Sequence, residues 1–301
     1  MKANYSYIYL AFFLLLNIFN FVDRNLLIAF APQIKSEFNL TNVQWGLLTG
    51  VYFLFFYSVF GILMGVLGDK FSRMKIAAAG VFLWSLMTAL TGVAKNFSHL
   101  IVARALIGVG ESALTPNAIS MLSDLFNQNK RGTASAIYYL GIPLGVGFGM
   151  LIAAFFGPVF GWRAVFITLG LIGMGLGIVT YFLLEPKRGQ LDVSFDEDNK
   201  SASIREIVSM TKHALYNSKC LTFAIIGSIF LHIPLGAGNF EVLWAVNERG
   251  FTASAYNFLF GIFFILGGTV GAVLGGVLSD RLSHYFKGGV MTFLAVSYTH
   301  L

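Results

Sequence analysis

Gly65-Val-Leu-Gly-Asp69-Lys70-Phe-Ser72-Arg73 closes one long apolar run, and Gly276-Val-Leu-Ser-Asp280-Arg281-Leu-Ser283-His284 closes another. Glycine, acid, base and serine recur at the same intervals, so position 65 maps onto position 276. The same shift carries the first apolar run, which begins near residue 5, onto one that begins near residue 216. Self-similarity at a fixed shift marks a duplicated unit. Two parallel copies of a helical bundle are therefore expected, with each copy opening on a pair of apolar runs.

The chain has 301 residues, of which 56% are hydrophobic and 11% charged, and its mean hydropathy is +0.74. Soluble domains carry about 25% charged residues, so this composition is that of an all-α membrane protein. The runs 5–30, 42–67, 75–95, 98–124, 131–158, 162–184, 219–247 and 254–279 are each long enough to cross a hydrocarbon core of about 30 Å. Gly289 begins a ninth. Thirty-three glycines suit helices packed closely in lipid. No cleavable leader is read at the N-terminus, because the first run is too long and carries polar residues.

The net charge of +6 could suit nucleic acid. The basic residues are instead divided among short loops, the pattern of membrane orientation. Fourteen of the 20 lie in loops on the side that holds Lys70, Arg73, Lys130 and Arg188, and four on the other side, with Lys35, Lys95, Arg163 and Arg249. Arg24 and Arg104 fall inside spans. The N-terminus is expected in the cytoplasm of a multi-pass protein of the cell membrane, with no nucleic-acid partner. Cys220 is the single cysteine, which excludes a disulfide framework or a thiol metal site, and the five histidines lack ligand spacing.

Residues 1–184 read as a six-helix bundle, 185–218 as a cytoplasmic linker and 219–294 as part of a second bundle. Within the linker, Ser203-x-x-Glu206 forms a capping box that opens a short amphipathic surface helix. A full second bundle needs four more spans, so the sequence reads as a C-terminally truncated fragment. The polar end 295–301 breaks the apolar pattern and is expected to be a non-native tail.

Charged residues near the middle of a span are costly and rare, and by default they mark function. The fourth run carries Arg104, Glu111, Pro116 and Asn117. Arg104 and Glu111 are close to two helical turns apart, so they share a face, with Gly108 and Gly110 between them to admit a neighbouring helix. Asp23 lies about 10 Å from the outer end of the first span and Arg104 about 9 Å from the same surface, so the two can meet. Glu111 lies about 10 Å deeper. A buried carboxylate favours its protonated form and a nearby guanidinium reverses that, so moving the guanidinium away makes the carboxylate take a proton. Asn17, Asn20 and Arg24 continue a polar stripe on the first helix. Arg24 is read as a partner of Asp23 or as a donor to an anionic headgroup. The simpler alternative is a structural ion pair between helices.

Gly145-x-Gly147-x-Gly149 follows no strand and precedes no phosphate-binding lysine, so helix packing explains it better than a nucleotide site. With no Walker sequence and no paired serine and histidine, neither an enzyme nor a cofactor is expected.

Gly65-x-x-x-Asp69-Lys70-x-x-Arg73 resembles the signature loop between helices two and three of the major facilitator superfamily. Arg104-x-x-x-Gly108-x-Gly110 resembles its fourth-helix motif. Asn20-Phe-Val-Asp23-Arg24, Gly110-Glu111 and Gly161-Trp162-Arg163 are similar to the Spinster branch, whose members move lysolipids and sphingoid lipids. The resemblance implies a major facilitator fold, complete in its first six-helix bundle and holding about two helices of the second. It implies proton coupling through Asp23, Arg104 and Glu111 in a cavity that Asn20, Arg24 and Asn117 also line. It further implies a gating loop in which Gly65, Asp69, Lys70, Arg73 and Asp124 latch the cytoplasmic side, repeated at Asp280 and Arg281. Asp69 would face the start of an eleventh helix. The expected function is proton-coupled transport of a small organic or lysolipid-like substrate by a monomer. The alternatives are an organic-anion or sugar-acid symporter and a transporter-like substrate sensor.

Overall fold

The computed structural model describes residues 3–189, 191 and 204–282. Among these, helices follow one another with only short turns between them and no strand occurs. The linker residues 192–200, the cap at Ser203, the ninth run and the tail 295–301 lie outside the described residues.

The first span is α1 (Ala3–Ala29). The second is α3 (Asn42–Gly46), a π-helical turn at Leu47–Val51 and α4 (Tyr52–Lys70), reached through the short α2 (Ala31–Glu37). The third is α5 (Arg73–Gly92), and the fourth is α6 (Phe97–Glu111) with α7 (Leu114–Leu125). The fifth joins α8 (Gln128–Tyr139) to the first arm of α9 (Gly141–Phe182), whose second arm is the sixth. Beyond the linker come α10 (Ile204–Asn217), α11 (Lys219–Ala237), a single turn at Gly238–Phe240, α12 (Glu241–Arg249) and α13 (Ala253–Leu282). The seventh run, expected unbroken over 219–247, is interrupted where Gly236, Gly238 and Asn239 replace apolar residues. Beyond that turn α12 packs Val242 and Leu243 inward.

Two prolines break spans beside the polar stripe. Pro116 has no N–H to offer Ser112, so the hydrogen-bond ladder of the fourth span lapses at Ser112–Ala113, directly after Glu111, while both residues keep helical dihedrals. Asn117 Nδ2 donates to the Ala113 carbonyl at 2.7 Å. Pro143 likewise cannot bond Tyr139, and the fifth span breaks at Leu140. There Asn17 Nδ2 donates to the Tyr138 carbonyl at 2.8 Å. At Gly161 a φ of 75° reverses the chain between the arms of α9, a conformation that glycine adopts without steric penalty.

α5 and the second arm of α9 pack against each other through glycines: Gly170 lies against Ala89, Gly173 against Ser85 and Gly177 against Phe82. Two apolar cores result. One, at the end of the bundle opposite the Gly65–Arg73 loop, gathers Leu26, Phe30, Ile34, Trp45, Trp162 and Leu243. The other, at the loop end, gathers Phe13, Leu16, Met74, Trp84, Met121 and Tyr138. The loop end also bears most of the basic residues and is called the basic end below.

At the opposite end Glu37 accepts from Trp162 Nε1 at 2.8 Å and from Arg163 Nη2 at 2.6 Å. Arg163 Nη1 reaches the Gly92 carbonyl at 2.9 Å. The Arg163 bond holds the Glu37 carboxyl below its ordinary range, against the upward push of burial. The later helices meet the first bundle at this end. Trp45 Nε1 donates to the Asn239 carbonyl, Asn257 Nδ2 to that of Ala29 and Ser254 Oγ to that of Ala154.

Candidate functional site

The two apolar cores leave a polar layer between them. On α1 the loop-end core extends as far as Leu16 and the other core begins at Val22. On α6 Leu100 belongs to one core and Ile107 to the other. Asn20, Asp23, Arg104 and Glu111 fall in or beside this layer and are all buried. Two glycines set its width. A side chain at Gly108 would stand 2.7 Å from the Phe53 carbonyl of α4, and one at Gly110 would stand 2.8 Å from the Gly80 carbonyl of α5. Both helices thus press against α6 where it carries its charges.

Arg24, rather than Arg104, holds Glu111. Its Nη2 and Nε reach one carboxylate oxygen at 2.6 and 3.1 Å. The Glu111 side chain is wholly enclosed and that of Arg24 is 23% exposed, so Arg24 is the more accessible member of the pair. The Arg24 guanidinium lies 4.7 Å from the Phe53 ring and 5.0 Å from that of Tyr57. These aromatic faces attract a cation.

Asp23 and Arg104 line one small cavity with Leu27, Leu48, Thr91 and Phe166. Its volume of about 10 Å³ is close to what one water needs. Asp23 Oδ2 accepts from Thr88 at 3.1 Å, and Arg104 stacks on Phe53 at 4.3 Å. Asn20 Nδ2, Asp23 Oδ1, Trp84 Nε1, Arg104 Nε and Glu111 Oε1 have no hydrogen-bond partner among the described residues. Buried polar atoms in native proteins are almost always paired. These unpaired atoms therefore mark where water, a proton or a ligand group completes the layer. Asn117 stands apart, with its Oδ1 against Gly68 of α4.

At the basic end Arg73 is buried and joins three segments. It pairs with Asp124 of α7 at 2.5 Å and Glu185 at 2.9 Å, and donates to Ser120 at 2.9 Å and the Pro186 carbonyl at 3.1 Å. Gly189 N closes the strap on Asp124 Oδ1 at 2.9 Å. Arg188 caps the end of α4 through the carbonyls of Gly68, Asp69 and Phe71. Arg73 and Asp124 thus meet, whereas Asp69 offers only its backbone and its side chain is exposed, as is Lys70. Gly65 has open space where a side chain would stand. The close approach falls at Gly68. Asp280 and Arg281 lie near the end of α13, with side chains outside the described residues.

Burial pushes the Glu185 carboxyl up, but hydrogen bonds from Ser72 and Arg73 together with the Arg73 charge outweigh it, and the net shift is downward. A carboxyl with a lowered folded value adds stability above its ordinary value of 4.5 and loses it as pH falls through the lower one. The thermal midpoint should therefore drop on acidification from about pH 5 downward. Glu185→Gln should flatten part of that slope while lowering the midpoint at neutral pH. An unchanged slope in the variant would remove Glu185 from the acid response.

The family model described as Major Facilitator Superfamily matches residues 13–299. The chain is 27% identical over 277 residues to the sphingosine-1-phosphate transporter SPNS2 of Danio rerio, covering 87% of this chain and 54% of that protein. It is 31% identical over 166 residues to the "Probable L-galactonate transporter" of Escherichia coli (strain K12), covering 55% and 36%. It superposes with a TM-score of 0.80 and 25% identity on a crystal structure of a bacterial homolog to the human lysosomal transporter Spinster, inward-facing and unoccupied. That match covers 94% of this chain and 64% of the other. The chain spans about half the length of the curated relatives it matches.

Proposed function

The chain belongs to the Major Facilitator Superfamily, and we propose that it acts as a proton-coupled secondary transporter of a small amphiphilic, lysolipid-like substrate, with its basic end in the cytoplasm. The buried Arg24–Glu111 pair is the observation that carries this reading. An anionic headgroup that reaches Arg24 competes with Glu111 for the same donors. Once released, the wholly enclosed Glu111 loses the cation that hydrogen-bonds it and keeps only the charge of Arg104 nearby, and taking up a proton offsets that loss. Substrate entry and proton uptake thereby become one event. Asp23 and Arg104, across a cavity with room for about one water, provide a second place where a proton is held.

The aromatic rings of Phe21, Phe53 and Tyr57 around Arg24 suit the apolar part of an amphiphile, and the similarity to the sphingosine-1-phosphate transporter supports that substrate class. The similarity to the Escherichia coli protein favours a sugar acid as the second reading. In proteoliposomes carrying an imposed pH gradient, Asp23→Asn and Glu111→Gln should each abolish gradient-driven uptake of a lysolipid while preserving expression. Undiminished proton-driven flux in both variants would overturn the coupling. Uptake of a sugar acid but no lysolipid would move the substrate to the second class.

A further inference from the structure

We propose that the basic end carries a binding groove for an anionic phospholipid of the surrounding bilayer, between α5 and the second arm of α9. The two helices touch closely from Gly170 to Gly177, where a side chain at Gly177 would stand 2.9 Å from the Phe82 backbone nitrogen. Beyond that contact they separate. The opening, of about 260 Å³, is lined by Lys75, Ala78, Ala79, Phe82, Ile178 and Tyr181. Two alanines and a glycine leave a floor without bulky side chains. Phe82, Ile178 and Tyr181 are 40%, 51% and 53% exposed, so in a membrane they face acyl chains.

Charge selects the headgroup. Lys75 stands at the mouth of the groove, its ammonium 5.8 Å from the Tyr181 ring, and it is exposed with no carboxylate partner among the described residues. Glu185 and Asp124 both serve Arg73. Basic pockets between spanning helices take up anionic headgroups. An aromatic ring beside a lysine at the end of a span marks the interface depth where such headgroups lie.

Native mass spectrometry of the purified full chain, mixed in neutral detergent with phosphatidylglycerol or phosphatidylcholine, tests this directly. Phosphatidylglycerol should bind about fivefold more tightly, the effect of one basic side chain at a membrane surface. Lys75→Gln should bring the two lipids to parity. Ala79→Trp, at an exposed position that tolerates bulk, should fill the groove and displace the retained phosphatidylglycerol. A preference for phosphatidylglycerol that survives both changes, or no preference in the unaltered chain, would overturn the site. Because no substrate or gradient enters the assay, its outcome is independent of whether the transport reading holds.

Discussion

Arg24→Ala is expected to cost about 3–5 kcal/mol of stability, far more than Glu111→Gln, although both changes break the same pair. The asymmetry follows from which partner is left behind. Without Arg24, the Glu111 carboxylate keeps its place with 0% side-chain exposure, and the oxygen that accepted two bonds has none. Stranding a buried charge is the expensive way to break an ion pair. Without the Glu111 charge, Arg24 retains three aromatic rings within 5.0 Å and a partly exposed side chain. A glutamine oxygen can still accept from it, so that loss should stay near 1–2 kcal/mol. Paired replacement by Arg24→Met and Glu111→Met should recover most of the deficit, since a well-packed apolar pair often matches a buried ionic one. Thermal unfolding in detergent reads all three. Equal losses for the two single variants would mean that Glu111 is not enclosed in the folded protein.

Arg73→Ala should be comparably severe, with a loss of about 3–5 kcal/mol, and Arg73→Lys should recover little of it. Four acceptors converge on this one guanidinium from α7 and the segment after α9, at 2.5 to 3.1 Å. A lysine ammonium carries three donors on a point and cannot span a fork that serves Asp124, Glu185, Ser120 and Pro186 together. In Arg73→Ala, Asp124 and Glu185 would also lose the cation they share. Limited proteolysis should register the release of the Glu185–Gly189 strap, with cleavage near Lys187 appearing in both variants. Resistance equal to that of the unaltered chain would show that Arg73 does not hold the strap.

The spans were legible because lipid imposes a simple demand. Every backbone group must be satisfied within a segment of sufficient length, so apolar runs become helices almost without regard to tertiary context. The repeated Gly-Asp-basic-Ser loop raised the expectation of two related units, and the side chains of its second copy fall largely outside the described residues. Helical spacing correctly suggested that Arg104 and Glu111 share a face, and depth arithmetic put Asp23 and Arg104 at one level, where they line the same cavity. Neither could reveal that Arg24 reaches Glu111, because spacing along one helix does not give the rotation of its neighbour. Thr88, Trp84 and Glu185 carry no signal in the sequence. They are ordinary residues whose part depends on which helix lies opposite. Asn117 illustrates the converse. The family resemblance makes it a cavity residue, but its side-chain amide is committed to the Ala113 carbonyl one turn back on its own span.

The lapse at Ser112–Ala113 has a mechanical consequence. The fourth span comprises two short rods joined at Ser112–Ala113. The first carries Glu111 to its counter-ion on α1, and the second carries Asp124 to its counter-ion on α5. A continuous helix would transmit any tilt along its whole length and move both carboxylates in step. A joint lacking one ladder bond bends at lower cost than an intact helix, so a tilt at one end is passed less fully to the other. The fourth span therefore carries one ion pair on each side of its weakest point.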